Sequence, residues 1–445
     1  MTQGLEALLP RLDRLGLAAK RDKSLQFNNL MHHITIVFLQ KAFYQLNKKA
    51  AKGVDELSWQ EYEKDLLGRV KDLHSRLQSG RYKAQPVKRL WISKGDDQQR
   101  PIGVTAIEDK IVQQAVVWLL APIYEEDFLG FSYGFRAQRN QHKALDAVYM
   151  AVTRKKVSWI LDADLKSFFD TIDHQWMMRF LGHRIADKRL LRLVKSWLSA
   201  SVVEGNMKHK TWVGTPQGSV ISPILANIYL HYALDLWVHQ WRKRQARGEV
   251  YIVRYADDFI IGLQYQSDGH RLKQALEERL SAFNLSFNES KTHLIEFGRF
   301  ARANRKQRGQ RKPETFDFLG FTHICSQRRN DGRFALLRLS IKKRLKAKLK
   351  QIKATLMKHC HKSPYEQGNR IKRVLTGYFN YFAIPGNGKS LGVMRTEVCR
   401  LWLKVLRRRS QKGRNFNWQR MKRLINIFIP HTRIRHPYPN QRFHL

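Results

Sequence analysis

The sequence predicts an α+β fold in which a mixed region of strands and helices lies between two helical regions. Apolar residues recur at helical spacing up to about residue 80 of the 445 residues. Short β-like segments then alternate with amphipathic helices up to about residue 325, and the helical pattern returns from about Ile341. The chain is too long for one small core, which indicates two to four domains.

Residues 1–80 are predicted to form an N-terminal helical extension. Two sets of apolar residues show the helical spacing: Leu30, Ile34, Val37 and Phe38, followed by Leu66, Val70, Leu73 and Leu77. Each set is typical of the buried stripe of an amphipathic helix.

Residues 81–325 are predicted to form the α+β part. The β-like segments are Arg89–Ile92, Trp159–Leu161, Tyr251–Val253 and Phe259–Ile261, and the amphipathic helices include Lys110–Leu120 and Leu190–Leu198. The stretch Arg299–Lys312 is strongly basic and has almost no large apolar residues. We therefore expect an exposed loop or insertion at about 299–312.

Residues 335–430 are predicted to form a second, helical domain. One apolar stripe on a lysine-rich helix contains Leu345, Leu349, Ile352 and Leu356, and another contains Val398, Trp402, Val405 and Leu406. Proline ends regular structure at three later positions, Pro430, Pro437 and Pro439. Residues 431–445 are therefore expected to be an extended tail.

The charge of the chain is strongly positive. It has 82 Lys and Arg against 37 Asp and Glu, a formal net charge of +45. Such an excess destabilises a compact state by self-repulsion unless a polyanion is nearby. The sequence has no run of about 18 apolar residues and no signal-peptide pattern, so nucleic acid is favoured over a membrane. Three widely spaced cysteines indicate neither disulfides nor zinc, which is typical of a reducing cytoplasm.

Two adjacent carboxylates, Asp257 and Asp258, lie at the tip of an otherwise apolar predicted hairpin. Burying them requires a positive partner, either a Lys or Arg side chain or a divalent metal. Asp162 and Asp164 follow another apolar strand and share one face of it, although either could instead cap the next helix. Carboxylates on separate strands suit a two-metal centre that joins a 3′-hydroxyl to a phosphate, and oxygen ligands suit Mg²⁺.

Four motifs occur in order along the chain: DLKSFFDTIDH at 164–174, GTPQGSVISPILANIY at 214–229, YADD at 255–258 and FDFLGF at 316–321. With these motifs the chain resembles the reverse transcriptases encoded by group II introns, of the bacterial type, over about Asn28 to Phe443. The resemblance implies a right-hand polymerase, with fingers and palm built on an antiparallel sheet. An α-helical thumb or maturase domain would follow.

The resemblance also implies a role for each carboxylate. Asp164 and Asp257 would bind two Mg²⁺ ions, with Mn²⁺ as a substitute ion. Asp258 would be a third, closely placed carboxylate, and Leu165 is included in the metal site. Asp162 would be a neighbour without a direct role.

Further residues would bind the incoming nucleotide. Phe169 matches the steric gate that selects deoxynucleotides, and Gln217 would touch the nucleotide. Lys94 and Arg100 flank the turn of the predicted fingers hairpin and could grip the triphosphate, or could belong to an ordinary solvated turn. Lys291 matches a lysine that is a candidate general acid for pyrophosphate.

A basic, aromatic set of residues is expected to contact nucleic acid. It comprises Arg136 near the template–primer path, and Arg373, Tyr378, Arg407, Arg408 and Arg409 in the thumb or maturase region. Arginine-rich helices beside aromatic residues suit structured RNA, through phosphate contacts and stacking. A charged solvated face is the alternative for the thumb residues, and packing is the alternative for the glycine and aromatics of the segment 131–136 that contains Arg136.

The function expected from these features is RNA-directed DNA synthesis together with binding of a group II intron RNA, for splicing and retrohoming. The expected partners are an RNA template, a DNA primer, dNTPs, the intron RNA as a ribonucleoprotein and target DNA, in the bacterial cytoplasm or at the nucleoid. No HNH endonuclease segment is expected. The alternatives are a splicing maturase with little polymerase activity, and a free-standing reverse transcriptase adopted by its host for defence or DNA repair.

Overall fold

Four helices form the N-terminal part of the computed structural model, which describes residues 9–95, 98–205, 207–328 and 330–442. They are α1 (Leu9–Arg21), α2 (Ile36–Gln45), α3 (Trp59–Glu63) and α4 (Leu66–Gln78). Leu30 and Ile34 are buried, but they flank a short 3₁₀ turn rather than lying in a helix. The reason is that the side chain of Thr35 caps α2 and so starts that helix after Ile34.

The next part of the chain contains a sheet at one end of the molecule, which we call the fingers sheet. Its order is β2-β1-β4-β5, formed by β1 (Val87–Gly95), β2 (Gln98–Val104), β4 (Val202–Glu204) and β5 (Met207–His209). Between β2 and β4 lie α5 (Ile107–Glu125), α6 (Gln141–Arg154), β3 (Trp159–Asp164), α7 (Phe168–Thr171), α8 (His174–Gly182) and α9 (Lys188–Leu198). Strands β1 and β2 are antiparallel and form the predicted fingers hairpin.

A second sheet, the palm sheet, has the order β6-β7-β3-β8 and is antiparallel throughout. Its later elements are α10 (Ser222–Leu230), a π-helical turn (His231–Asp235), α11 (Leu236–Arg244), β6 (Val250–Tyr255), β7 (Asp258–Leu263), α12 (Gln266–Ser281) and β8 (His293–Glu296). Leu161 and Phe259 on one face are buried in the large helical core. Ile160 and Ile260 on the opposite face belong to a separate core. The α+β prediction is thus confirmed.

The basic stretch predicted to be an exposed loop or insertion contains a helix, α13 (Ala301–Gln307). It is not a loop throughout, because Arg, Lys and Gln are good helix formers even without an apolar stripe. Strands β9 (Phe316–Phe318), β10 (Phe321–Gln327) and β11 (Phe334–Ser340) then form an antiparallel sheet. Strand β10 passes through residue 325, so regular pairing continues beyond the limit predicted for the α+β part.

Four of the described helices form the region that follows the sheets, and this region has its own core. They are α14 (Lys342–Lys358), α15 (Pro364–Phe382), α16 (Gly388–Arg408) and α17 (Trp418–Phe428). The predicted stripes are largely buried here, with Trp402 fully covered and donating its indole N–H to Gln367 at 3.0 Å. We call this region the thumb; its limits as a domain stay a prediction.

Residues 431–442 are not a free extended tail. Pro439 starts a short helix, α18 (Pro439–Arg442), because proline is tolerated in the first turn, where its missing N–H is not needed. This segment, which we call the C-terminal strap, runs over α15, where Arg435 N–H donates to the Ala383 carbonyl at 2.9 Å. Its far end reaches α6, where the rings of His436 and His142 stack at 3.8 Å.

An ion cluster fixes the strap to α6. Asp146 is 1% exposed and lies 2.7 Å from Arg442 of the strap and 3.3 Å from Arg338 of β11. Burial lowers the pKa of His142 to about 4, so its ring is neutral at physiological pH and is not repelled by the two arginines. The strap therefore connects the thumb, the β9–β11 sheet and α6.

No helix among the described residues combines the length and the apolar character needed to cross a membrane.

We expect Asp146→Ala to lower the free energy of unfolding by about 3–5 kcal/mol, because it leaves the buried Arg338 without a counter-charge. Urea denaturation followed by circular dichroism would measure the change. The control is Glu397→Ala, which removes an exposed partner of Arg400 and should cost no more than about 1 kcal/mol. Equal losses in the two variants would contradict the role of the ion cluster.

Candidate active site

The hairpin of β6 and β7 carries the paired carboxylates at its tip. Tyr255 and Asp258 are the last paired residues, so Ala256 and Asp257 form a two-residue turn. Ala256 has φ +57°, a left-handed conformation that costs an alanine about 1–2 kcal/mol. The conformation persists only if surrounding contacts determine it.

Arg254 supplies the first of those contacts. Its side chain is completely buried and pairs with the equally buried Asp235 at 2.5 Å. It also donates to the Ala256 carbonyl at 2.9 Å, Asn227 Oδ1 at 3.0 Å and Ser132 Oγ at 2.8 Å. The guanidinium thus fixes the turn while its charge is neutralised by the residue that ends the π-helical turn.

A second set of contacts joins the hairpin to residues 131–135. Arg254 N–H donates to Phe131 O at 2.9 Å and Tyr133 N–H donates to Arg254 O at 2.8 Å. The Asn227 side chain donates to the Gly134 carbonyl at 2.7 Å. A Cβ atom on Gly134 would lie 2.3 Å from the Ala256 nitrogen, so only glycine allows this approach.

Sequence patterns assign no specific role to Arg254, Asp235, Asn227 or Gly134, although Asn227 lies within the motif at 214–229. One signal was present in the sequence. Arg254 is a lone charged residue in an apolar strand, and a buried charge requires a partner. The partner itself, Asp235, could not be found from spacing because it lies on a different element.

Asp164 lies directly opposite Asp258 in the pairing of β3 with β7. Residues that face each other across paired strands share one face of the sheet, and Asp162, two residues earlier, shares it too. Neither Asp162 nor Asp164 caps a helix, because Ser167 and Asp173 occupy the N-cap positions of α7 and α8. The capping alternative is therefore excluded.

The carboxylates repel one another in a poorly solvated place. Burial, with Asp162, Asp257 and Asp164 nearby, raises the pKa of Asp258 to about 7. Burial and Asp164 also raise the pKa of Asp257. Burial is the main cause that raises the pKa of Asp162 to about 7, with Asp317 and Asp164 adding to it. Asp162 thus influences the site through its charge, which contributes to the raised pKa of Asp258.

One of the carboxylates has a cationic partner. Lys291 Nζ lies 2.8 Å from Asp164 Oδ2, and Asn288 donates to the same oxygen at 3.3 Å. Within the described part of the chain, no Lys or Arg nitrogen lies within 4.0 Å of the carboxylates of Asp257 or Asp258. The salt-bridge alternative therefore accounts for Asp164 alone.

The donor set fits a divalent cation that prefers oxygen. No group of three or more His, Cys, Asp or Glu side chains in the described ranges is arranged to hold a metal by itself. Two carboxylates can nevertheless suffice for Mg²⁺, because it keeps several of its waters. The Leu165 carbonyl is also suitably directed. Asp164 O accepts from Asn288 N–H on one side, and successive strand carbonyls alternate, so Leu165 O points to the β7 side.

The predicted nucleotide residues lie along a connection between the two sheets. Thr215 N–H donates to the Phe169 carbonyl at 2.7 Å, and the ring of Phe169 is half-buried. Arg100 Nε donates to Gln217 Oε1 at 2.5 Å, and Gly103 N–H donates to the Gln217 carbonyl at 2.7 Å. The Lys94 side chain lies outside the described part of the structure.

Two predicted nucleic-acid contacts are corrected. Arg136 has a side chain 2% exposed, and all three of its nitrogens donate, to Glu125 and to carbonyls of 128–132. It holds its own loop together. Tyr378 lies in the thumb core, stacked on Phe382 at 4.4 Å. Arg373 and residues 407–409 are exposed, as a nucleic-acid surface requires.

Comparison with known proteins places these features in a family. Residues 92–323 match the family profile described as reverse transcriptase (RNA-dependent DNA polymerase). The chain is 31% identical to Protein YkfC of Escherichia coli (strain K12) over an alignment of 281 residues, and the match covers 56% of this chain and 74% of that protein. It is 34% identical to the group II intron-encoded protein LtrA of Lactococcus lactis subsp. cremoris over 229 residues, covering 51% of this chain.

Coverage of the longer relatives is lower. The matched part is 37% of LtrA. For the nuclear intron maturase 2, mitochondrial, of Arabidopsis thaliana, identity is 30% over 107 residues, 23% of this chain and 14% of that protein.

We expect Gly134→Ala to destabilise the protein by about 1–3 kcal/mol, because the added methyl group would overlap the Ala256 backbone. Gly130→Ala is the matched control, since a Cβ atom there meets nothing within 4 Å. Urea midpoints of the two variants would test this. A Gly134→Ala midpoint equal to that of Gly130→Ala would show that the hairpin does not need the close approach.

Proposed function

The chain belongs to the reverse transcriptase (RNA-dependent DNA polymerase) family, among its group II intron-encoded reverse transcriptases and maturases, and from this premise we propose that it synthesises cDNA on an RNA template by two-metal nucleotidyl transfer. The observation that carries the mechanism is the opposition of Asp164 and Asp258 across two strands, with Asp257 in the adjoining turn. These three carboxylates lie close together, and among the described residues Lys291 is the one cationic side chain paired with them, through Asp164. Such a group of carboxylates can bind cations.

In the proposed reaction, the primer 3′-oxygen attacks the α-phosphorus of a dNTP. The bond between that phosphorus and the oxygen bridging to the β-phosphate breaks, and pyrophosphate leaves. Mg²⁺ ions held by Asp164, Asp257 and the Leu165 carbonyl would neutralise the phosphates and favour ionisation of the 3′-hydroxyl. Asp258, beside them, adds negative charge that favours cation binding.

Lys291 has two successive roles in this proposal. It pairs with Asp164 at 2.8 Å and so balances that carboxylate before cations bind. The Lys291 side chain is 58% exposed, so it has room to reorient. Once displaced from Asp164, it can donate a proton to the leaving pyrophosphate.

Phe169 and Gln217 would define the sugar and phosphate positions. Thr215 holds the backbone of Phe169, and the Phe169 ring packs edge-on against Phe168 with ring centroids 5.3 Å apart. An aromatic face in contact with the sugar leaves no space for a 2′-hydroxyl. Arg100 reaches the same place by its bond to Gln217, and it could bind the triphosphate there. We assign the same role to Lys94 from its position in the fingers hairpin.

The thumb is proposed to bind group II intron RNA as a ribonucleoprotein, assisting splicing and, with target DNA, retrohoming. The exposed arginines 373 and 407–409, the net charge of +45 and the similarity to LtrA support this. The similarity to bacterial proteins supports action in the cytoplasm, at the nucleoid when DNA is bound.

The double variant Asp257→Asn, Asp258→Asn should lower the rate of primer extension on poly(rA)/oligo(dT) with Mg²⁺ at least about 100-fold. The reason is that amides bind the cation far more weakly than carboxylates. Asp331→Asn is the control and should keep full activity, since Asp331 pairs only with arginines in a surface turn. If wild type and double variant extended equally poorly and still bound intron RNA, a maturase without polymerase activity would replace this proposal.

Phe169→Ala should admit ribonucleotides. We expect the ratio of kcat/KM for dNTP over rNTP to fall at least about tenfold, the effect of about 1.4 kcal/mol in transition-state discrimination. Single-nucleotide insertion kinetics would measure it. Phe300→Ala, at an exposed ring, is the control. An unchanged ratio in Phe169→Ala would exclude the steric-gate role.

A further inference from the structure

A patch of exposed apolar and basic side chains lies on the outer edge of the fingers sheet. Trp212 is 77% exposed and Met207 is 65% exposed. Lys208 and Lys210, which lie between them in sequence, are exposed as well. We call these four residues the edge patch.

The backbone that carries the edge patch is anchored on both sides. Strand β5 pairs with β4, with Val202 opposite His209. On the other side Val213 forms an antiparallel bridge with Asp173, and Gly214 N–H donates to Ile172 O at 2.8 Å. Only residues 210–212 lie between the two anchors. The Trp212 ring is therefore held in solvent by a short, fixed connection.

Protection of a sheet edge does not account for this composition. Lysine on an edge strand prevents pairing with other chains, and this could explain Lys208. Exposed Met and Trp on the same edge would instead promote association. Among the described residues, no carboxylate lies within 4.0 Å of either lysine, so their charges are available to an anion.

An exposed aromatic ring with exposed lysines two and four residues before it suits single-stranded nucleic acid. A base can stack on the ring whatever its sequence, and the ammonium groups can contact neighbouring phosphates. Paired strands present no free base face to such a ring, so the single-stranded form is favoured over a duplex.

The patch lies near Gln217, and in a primer–template the strand left unpaired beside the site of nucleotide addition is the template. Trp212 and Gln217 are five positions apart in sequence, so their Cα atoms lie at most about 17 Å apart. At about 3.4 Å per nucleotide, this corresponds to about five nucleotides. We infer that the edge patch binds the unpaired RNA template ahead of the active site, with Trp212 stacking on a base and Lys208 and Lys210 contacting phosphates. This inference rests on the proposed function.

The first test is binding of a fluorescent 20-nucleotide single-stranded RNA to the full chain, measured by anisotropy. Trp212→Ala should weaken binding about 5- to 150-fold, and Trp212→Phe should restore much of the loss. Lys208→Ala with Lys210→Ala should reduce the slope of log K against log salt by about 1.4. The matched control, Lys64→Ala with Lys71→Ala, replaces two exposed lysines of the N-terminal region and should leave the slope unchanged.

The second test is primer extension on RNA templates with overhangs of two or of ten nucleotides. Trp212→Ala should raise KM for the long overhang relative to the short one, because only the long overhang reaches the ring. An unchanged ratio of KM values together with unchanged RNA affinity would overturn the inference. The inference would also be overturned if Trp212→Ala weakened binding of a folded intron RNA and left binding of the single-stranded RNA unchanged. No extension by wild type on either template would instead count against the proposed polymerase, and the binding test would still decide whether the patch holds RNA.

Discussion

The buried ion pair between Arg254 and Asp235 is the interaction on which the candidate active site depends. One guanidinium connects the β6–β7 hairpin to α10 through Asn227, to residues 131–135 through Ser132 and to the π-helical turn through Asp235. Removing either charge would leave the other unpaired in a completely buried position, which is far more costly than losing a surface pair. The geometry of the turn is thus tied to the integrity of the core beneath it.

This arrangement explains how acidic residues can be concentrated in a strongly basic protein. The overall charge attracts a polyanion at long range, whereas the palm aspartates act over a few ångströms. Because the lysine at position 291 pairs with only one of them, the remaining carboxylates stay poorly compensated. The proposed site would therefore attract small cations inside a surface whose charge suits nucleic acid.

Local patterns in the sequence predicted strands β1, β3, β6 and β7, the hairpin and the aspartates on separate strands, because alternation and motif spacing are properties of neighbouring residues. The partners Asp235 and Asp146 could not be predicted in this way, since each meets an arginine far away in sequence. Arg136 and Tyr378 were misassigned for a related reason. The sequence does not show whether a charged or aromatic residue in a motif is exposed, or is buried with all its polar groups hydrogen-bonded. Only the packing in the structure distinguishes the two cases.

The basic helix α13 and the C-terminal strap show a second limit of sequence reasoning. Polar helices have no apolar stripe to reveal them, and a proline can start a helix as well as end one. The basic composition of α13 and the prolines of the strap are each compatible with more than one backbone conformation.

The C-terminal strap also has a consequence for biosynthesis. A nascent chain folds in the order in which its segments emerge, so the palm and most of the thumb can form before residue 442 has left the ribosome. Until then α6 lacks one of its two arginine partners and the ring of His436, although His142 already contacts the Tyr381 carbonyl of α15. A chain that ended before the strap would therefore have its palm carboxylates in place but a less firmly held thumb. Completion of the strap is thus the last step that ties the thumb to α6.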